Sequence, residues 1–418
     1  MERTFLGIDF GTSGARAIAT DRDGIIQAQA SYPFGNRGND PLVWKEALYT
    51  LIGKIPPSVR CHIGGIVING TSATVLLCDG KGRPLTSPMM YNDSRAGVML
   101  DKLREIAPPN HVVLSATSSL AKLLWWYEQP FYSEGVFFLH QADWLAFLLH
   151  GKLGISDYHN ALKLGYDCEN FCYPDWITNL PIQPVLPDIL APGMAVGDLL
   201  PEVANRFGMI PRCLVCAGTT DSIAAFVASG ARKPGEAVTS LGSTLVLKLL
   251  SETKVEDSRY GIYSHRYGDF WLTGGASNTG GAVLRYFFTD EELELLSLEI
   301  DSQQESSLDY YPLLGKGDRF PINDPELAPR LTPNPYNRVE FLHGLLESMA
   351  RIESKGYQLL QELGATKLTW VYTAGGGAKN ETWREIRERR LKVPVVIPPY
   401  IEAAYGSCVL ASGTFFTM

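Results

Sequence analysis

Leu6-Gly7-Ile8-Asp9-Phe10-Gly11-Thr12-Ser13-Gly14 is an apolar strand running into a turn of small and hydroxylated residues, with a carboxylate at the junction. Glycine lets a backbone approach a ligand closely, and the N–H groups of such a turn, with the Thr12 and Ser13 hydroxyls, make good phosphate donors. Asp9 would repel a bare phosphate. A carboxylate beside a phosphate turn makes sense when a divalent cation stands between them, since Mg²⁺ is commonly held by one or two carboxylates plus substrate phosphates. The turn therefore points to a magnesium nucleotide, with Asp9 as the metal-side group. Where a dinucleotide-binding G-x-G-x-x-G needs its first glycine this chain has Asp9, and no G-x-x-x-x-G-K-[ST] occurs, so neither of those phosphate loops is present.

Working outward, Ala15 to Thr20 reads as a second strand. Asp21 to Gly24 makes a hairpin turn, and Ile25 to Ser31 returns as a third strand, so the chain opens as a β-meander. A helix is expected over 42–52, then strands over 63–68 and 74–78 flanking Asn69-Gly70-Thr71-Ser72. From about Ser118 to Leu149 the apolar spacing predicts helix. Pro181 to Pro201 is expected to be a connection. The strand-turn-strand device recurs at 214–221 and at 237–250 around Gly242-Ser243-Thr244. Pro312 to Pro335 predicts a long surface loop, followed by helix over 338–363, strand over 368–372, helix over 381–391 and a tightly packed helix over 402–416.

At 418 residues the chain exceeds the usual size of one hydrophobic core, so two domains are expected. A net charge of -8 without long like-charge runs argues against nucleic acid as a partner. Apolar runs are too short to span a bilayer, so no membrane partner is expected. Seven scattered cysteines and no secretory leader predict a cytoplasmic location. Cys213 and Cys216 form a C-x-x-C inside an apolar run, which fits core packing better than zinc, because zinc needs four converging ligands.

Three further segments carry chemistry. Ser240-Leu241-Gly242-Ser243-Thr244 offers glycine and hydroxyls at a strand junction, as a second phosphate clasp or an ordinary turn. Thr373 to Asn380 ends a strand with Gly375, Gly376 and Gly377, a costly choice unless side chains must be absent. A planar ligand on that backbone would supply the reason, with Asn380 bonding a base or ribose and Trp383 covering it. Asp221 follows a buried strand and Gly218-Thr219-Thr220. By itself it reads as a helix cap, but phosphoryl transfer uses such a carboxylate to receive a hydroxyl proton.

Together these motifs, with Thr273 to Gly281 and Glu402 to Gly406, resemble the FGGY family of carbohydrate kinases. The resemblance runs nearly end to end. It implies an α/β fold of two ribonuclease-H-like domains, of the actin and hexokinase ATPase type, flanking a deep cleft. It places residues 1–228 on the sugar side, with helix 402–418 returning to them, and 229–401 on the nucleotide side. It implies ATP and Mg²⁺, with Asp221 and Asp9 catalytic and Thr12, Ser13, Gly242, Ser243, Gly280, Gly376, Gly377, Asn380 and Trp383 around the nucleotide. Asp9, Ser13, Gly14, Arg16, Ser72 and Asp221 would line the sugar path. Where members commonly carry a bulky or imidazole side chain, Asn69 to Ser72 offers only hydroxyls. That departure argues against xylulose and glycerol and is similar to the short plant and cyanobacterial branch acting on D-ribulose. Trp125 and Asp143 join Ser72 as expected discriminators of the sugar's hydroxyls. The short chain lacks the insertions that build oligomer contacts, so a monomer is expected. Xylulose or polyol kinase activity is the nearest alternative. An actin- or chaperone-like ATPase switch, or a sugar sensor that has lost catalysis, is the rival of another class.

Overall fold

The computed structural model of the chain describes residues 3–413. These fall into two compact units, one running to Ala228 and taking in the chain again from Tyr400, the other Ser229–Pro399.

The first unit opens with the meander β1 (Thr4–Phe10), β2 (Gly14–Thr20) and β3 (Ile26–Pro33), all antiparallel. β4 (Ile63–Gly70) runs parallel to β1 and is buried at every residue, as an Ile/Val/Gly sequence covered on both faces should be. The helix Pro41–Lys54 starts where Asp40 accepts from the Leu42 N–H, with proline at the first position, and buries Trp44, Leu48 and Leu51 in the core.

β5 (Val75–Cys78) pairs antiparallel with β6 (Phe137–His140). This corrects the helix expected across 118–149. Helix occupies Ser119–Tyr127 and Gln141–His150, but the Phe137-Phe138-Leu139 run between them forms a strand paired antiparallel with β5 instead. Bulky aromatics suit the pleated surface of a strand, and pairing with β5 overrides the helical spacing. β7 (Ile155–Asp157) and β8 (Asp188–Leu190) form a small parallel pair, so the proline-rich connection contains structure of its own, including β9 (Ala195–Asp198). β10 (Leu214–Cys216) and the two-residue β11 (Thr219–Thr220) complete the main sheet, in order β3-β2-β1-β4-β10-β9 with β11 beside β4. Cys213 and Cys216 are buried, and burial pushes both thiols well up, Cys216 to about 11, as inert core residues require.

The helix Ala403–Ala411 lies against β1 and the helix Asp221–Ala228. Close approach is possible because Gly7 and Gly406 lack side chains. A Cβ on Gly7 would strike the Ala404 carbonyl, and one on Gly406 the Ala224 carbonyl. Cys408 fills the seam, its Sγ accepting from the Gly7 N–H at 3.1 Å and donating to the Ile18 carbonyl at 2.9 Å. Residues 414–418 of the expected terminal helix lie outside the described residues.

The second unit repeats the layout. β12 (Glu236–Leu241), β13 (Leu245–Ser251), β14 (Tyr263–Tyr267), β15 (Phe270–Ser277), β16 (Trp370–Ala374) and β17 (Val395–Val396) form one sheet in order β14-β15-β13-β12-β16-β17. β12 and β13 form the hairpin, and β16 runs parallel to β12 as β4 does to β1. The helices Arg338–Glu362 and Glu381–Leu391 carry its core, which includes Leu345, Met349, Trp383 and Ile386. Pro312 to Pro335 has no helix or strand, as its proline-rich composition predicts, and the described chain has none elsewhere between Ser297 and Arg338.

Gly406→Ala should destabilise the first unit by about 1–3 kcal/mol, the usual penalty of overpacking. Calorimetry should show its thermal midpoint falling by several degrees; an unchanged midpoint would contradict the close packing.

Candidate functional site

In the parallel strands of the first unit, Asp9 stands level with Asn69, and Asn69 with Thr219. The chain leaves the sheet one or two residues later, at Gly11, Thr71 and Asp221. Ligands of such sheets gather beyond the carboxyl ends of the strands. Here an open cavity of about 380 Å³ is lined by Asp9, Gly11, Arg16, Asp221, Ser222 and Glu402, among others.

The carboxylates are brought together at an energetic cost. Burial, then the Asp221 charge, push the Asp9 carboxyl from 3.8 up to about 7, while Arg16, opposite it across the β1–β2 ladder, pulls it back. Asp221 opens the helix Asp221–Ala228 and its Oδ1 accepts from the Ser222 N–H at 2.6 Å. Beneath it, Thr219 shares a hydrogen bond of 2.7 Å with His159 Nδ1.

Among the described residues, buried polar atoms without a protein partner collect at this end of the sheet. Asp9 Oδ1, Asn69 Oδ1, Thr220 Oγ1 and Gln141 Nε2 are among them. Such groups are rare in folded proteins and mark places where water, an ion or a ligand completes the structure. Among the described residues no three His, Cys, Asp or Glu side chains form a metal cage. Mg²⁺ does not need one, because it keeps several waters and takes one or two carboxylates. A partnerless buried carboxylate oxygen with a second carboxylate nearby fits that donor set.

Of the other expected residues in this unit, Thr12 and Ser13 are exposed on the turn closed by the Gly11 N–H donating to the Gly14 carbonyl at 3.0 Å. Gly14 begins β2. Ser72 sits two residues past β4, half-buried and outside the lining of the cavity.

In the second unit three glycine segments converge. The Gly281 N–H donates to the Gly242 carbonyl at 2.8 Å and the Ala282 N–H to the Ser243 carbonyl at 3.1 Å. Gly375, at φ +85°, and Gly377 pack on Leu241 just before Gly242. The protein itself explains these two glycines, since a Cβ on Gly375 would meet the Leu241 carbonyl at 2.6 Å and one on Gly377 the Trp383 ring at 2.7 Å. Gly376 is different. It is exposed, and nothing lies within 4 Å of where its Cβ would be.

Trp383 does not cover a ligand. It is 1% exposed, beneath the glycine loop, where an indole supports the backbone from the core side. Asn380 is likewise engaged: its Oδ1 accepts from the Trp383 N–H at 2.9 Å and its Nδ2 donates to Ser297 Oγ at 2.7 Å, so its side chain caps the helix Glu381–Leu391. Sequence reasoning missed Arg285, whose Nη2 donates to Ser243 Oγ at 3.2 Å. The signal was an arginine one helical turn beyond Gly280-Gly281.

Comparison with known proteins places this geometry. The N-terminal domain of the FGGY family of carbohydrate kinases matches residues 4–228 and its C-terminal domain residues 237–413. The xylulose kinase of Bacillus subtilis is 26% identical over 91% of this chain and 82% of its own length. The gluconokinase of the same organism is 25% identical, over 98% and 87%, and the ribulokinase of Halalkalibacterium halodurans 24%, over 60% and 54%. Among solved structures, a xyloylose kinase from Brucella ovis aligns with a TM-score of 0.86 at 22% identity, over 98% of this chain and 90% of that one. Plasmodium falciparum glycerol kinase with ADP aligns at 0.83 and 17%, over 98% and 89%. These structures share the two-domain α/β fold.

Asp9 binds its proton more tightly folded than unfolded, so its contribution to stability is complete below about pH 4 and is lost as the pH rises to about 7. In ligand-free protein with chelator, Asp9→Asn should therefore melt higher than the parent at pH 8. That gap should shrink towards pH 4; scanning calorimetry at both pH values decides it.

Proposed function

Because the chain belongs to the FGGY family of carbohydrate kinases, we propose that it transfers the γ-phosphoryl group of ATP to a terminal hydroxyl of a ketopentose, D-ribulose giving D-ribulose 5-phosphate. The observation that carries this reading is the pair of carboxylates, Asp9 and Asp221, on one cavity at the carboxyl ends of parallel strands.

Phosphoryl transfer asks a protein for positioning and charge compensation more than for covalent chemistry. Asp221, on the cavity wall, receives the proton of the attacking hydroxyl. Asp9 is the group that would hold Mg²⁺, directly or through its water. When bound, that ion neutralises charge on the transferring phosphates, and a cation beside Asp9 reverses the rise in its pKa. The free hydroxyls and N–H groups of the Thr12-Ser13 turn serve as phosphate donors. In the second unit, Gly242, Ser243, Gly280 and Gly376 present the nucleotide-side backbone, and Arg285 adds a cation beside Ser243.

D-Ribulose is favoured by the turn after β4, whose small hydroxylated residues include Ser72 with an uncommitted hydroxyl. D-Xylulose is the second reading, supported by the 26% identity to a xylulose kinase. A coupled ADP assay across ribulose, xylulose, ribitol, glycerol and gluconate ranks them; no ADP release above the sugar-free rate with any acceptor would reject a sugar kinase.

Asp221→Ala should lower kcat by about 10²–10⁴, the usual worth of a general base, with a smaller loss of ATP affinity. A variant turning over at the parent rate would remove Asp221 from the mechanism. Gly376→Val should raise the KM for ATP several-fold while leaving the thermal midpoint unchanged, because only a ligand meets the added side chain. Calorimetry beside ATP kinetics distinguishes that from a folding defect.

A further inference from the structure

Lys122 is fully buried, on the helix Ser119–Tyr127, among Leu120, Leu123 and Leu124. Among the described residues no carboxylate forms a salt bridge with it. Its Nζ instead donates to the Ala73 carbonyl at 2.7 Å and the Met90 carbonyl at 2.8 Å. An ammonium taken out of water without a counter-ion is expensive, and an aliphatic residue would fill the same space without that penalty. Burial pushes its pKa down to about 7, with Asp93 raising it and Lys163 and Arg95 lowering it further. Lys122 therefore acts as a directed hydrogen-bond donor, which its neutral form still is.

What it holds is the turn after β4. Ala73 has φ +61°, a left-handed conformation costing a residue with a Cβ roughly 1 kcal/mol or more. The side chains and backbone of Thr71 and Thr74 are committed to keeping the turn's shape. The Thr71 and Thr74 hydroxyls are 2.6 Å apart, the Thr71 N–H donates to Gln141 Oε1 at 3.0 Å, and the Tyr91 N–H donates to Thr74 Oγ1 at 2.9 Å. The Thr74 N–H closes the turn on the Thr71 carbonyl at 3.1 Å. Among the described residues the Ser72 hydroxyl has no partner, at the same end of the sheet as Asp9 and Asp221.

We propose that Lys122 is a positioning residue for acceptor recognition: by holding the Ala73 carbonyl it locks the strained turn that presents the Ser72 hydroxyl to the sugar. This rests on the reading of Ser72 as an acceptor contact.

Lys122→Met keeps the length of the side chain and removes its donors. With the best acceptor of the sugar panel, its KM for sugar should rise about tenfold or more, while the KM for ATP and the sugar-independent release of ADP stay within about twofold. Lys122→Met combined with Ser72→Ala should be no worse than Ser72→Ala alone, because both act through one hydroxyl. An unchanged sugar KM, a loss confined to kcat or folded yield, or losses that multiply in the double variant would each overturn the proposal. Should Lys122→Met fail to fold, Ala73→Gly gives an independent measurement. Glycine relieves the strain but loosens the turn, so the sugar KM should rise several-fold with ATP unaffected, and no change overturns the proposal. If Ser72→Ala leaves the sugar KM unchanged, the reading of Ser72 falls and the proposal with it. If Ser72→Ala raises it and Lys122→Met does not, the proposal alone falls.

Discussion

Strand register buries the Asp9 carboxylate and sets it on the same cavity as the Asp221 charge. β4 stands between the two strand ends and fixes Asp9, Asn69 and Thr219 on one level. It can do so because its Ile63-Gly64-Gly65-Ile66-Val67-Ile68 run has no face to spare for water. A one-residue slip would exchange the side chains presented to its two covered faces. The helix Ala403–Ala411 seals the arrangement through Gly7 and Gly406, contributing Ala403 and its preceding Glu402 to the cavity wall. The chain's last described helix thus helps determine the environment of its ninth residue.

In the second unit the corresponding precision comes from a buried polar network. Arg387 donates to both oxygens of Glu353, at 2.7 and 2.8 Å, and to Thr373 Oγ1 at 2.8 Å. Glu353 also accepts from Thr239 at 2.5 Å, and Thr239 shares a 2.8 Å hydrogen bond with Tyr357. Thr239 and Thr373 are register partners in β12 and β16, immediately before the Gly242 and Gly375 loops. A buried ion pair is weak grounds for stability, since apolar packing often does as well. A pair that also clasps two strands at a defined register is better understood as aligning the loops that follow. Asp318 does the same for the third glycine segment, accepting from Ser277, Tyr311 and the Asn278 N–H at 2.6, 2.7 and 2.9 Å.

Much of this was legible in the sequence because glycine, hydroxyl and carboxylate in one turn leave few chemical alternatives. Asp9 with its turn reads locally, whereas Asp221 and the Gly242-Ser243 turn read alone as a helix cap and an ordinary turn and gain meaning only as members of the set; the helix over 381–391 matches residue for residue. Trp383 misled because an aromatic one turn past a glycine loop looks the same from sequence whether it faces ligand or core. Only the position of Leu241 and Gly377 distinguishes the two. Phe137 to His140 was hidden because helical spacing on either side ran through it, and its partner β5 lies some sixty residues away. Lys122 was unreadable for a similar reason. A lysine in an amphipathic helix is ordinarily a solvated group, and its carbonyl partners come from two loops far back in the chain.

The partnerless polar atoms show what the fold gives up. An unsatisfied buried donor or acceptor costs about 1–3 kcal/mol, and Asp9 Oδ1, Asn69 Oδ1, Thr220 Oγ1 and Gln141 Nε2 lie at one end of one sheet. Asn69 and Gln141 use only part of their hydrogen-bonding capacity, on Ser407 and Thr71. Their retention is explained if the sheet's lowest-energy partner is not water but a ligand whose oxygens and associated cation complete these bonds. On that account the instability of the empty site and its affinity when filled are the same free energy, and the raised pKa of Asp9 is its most visible sign.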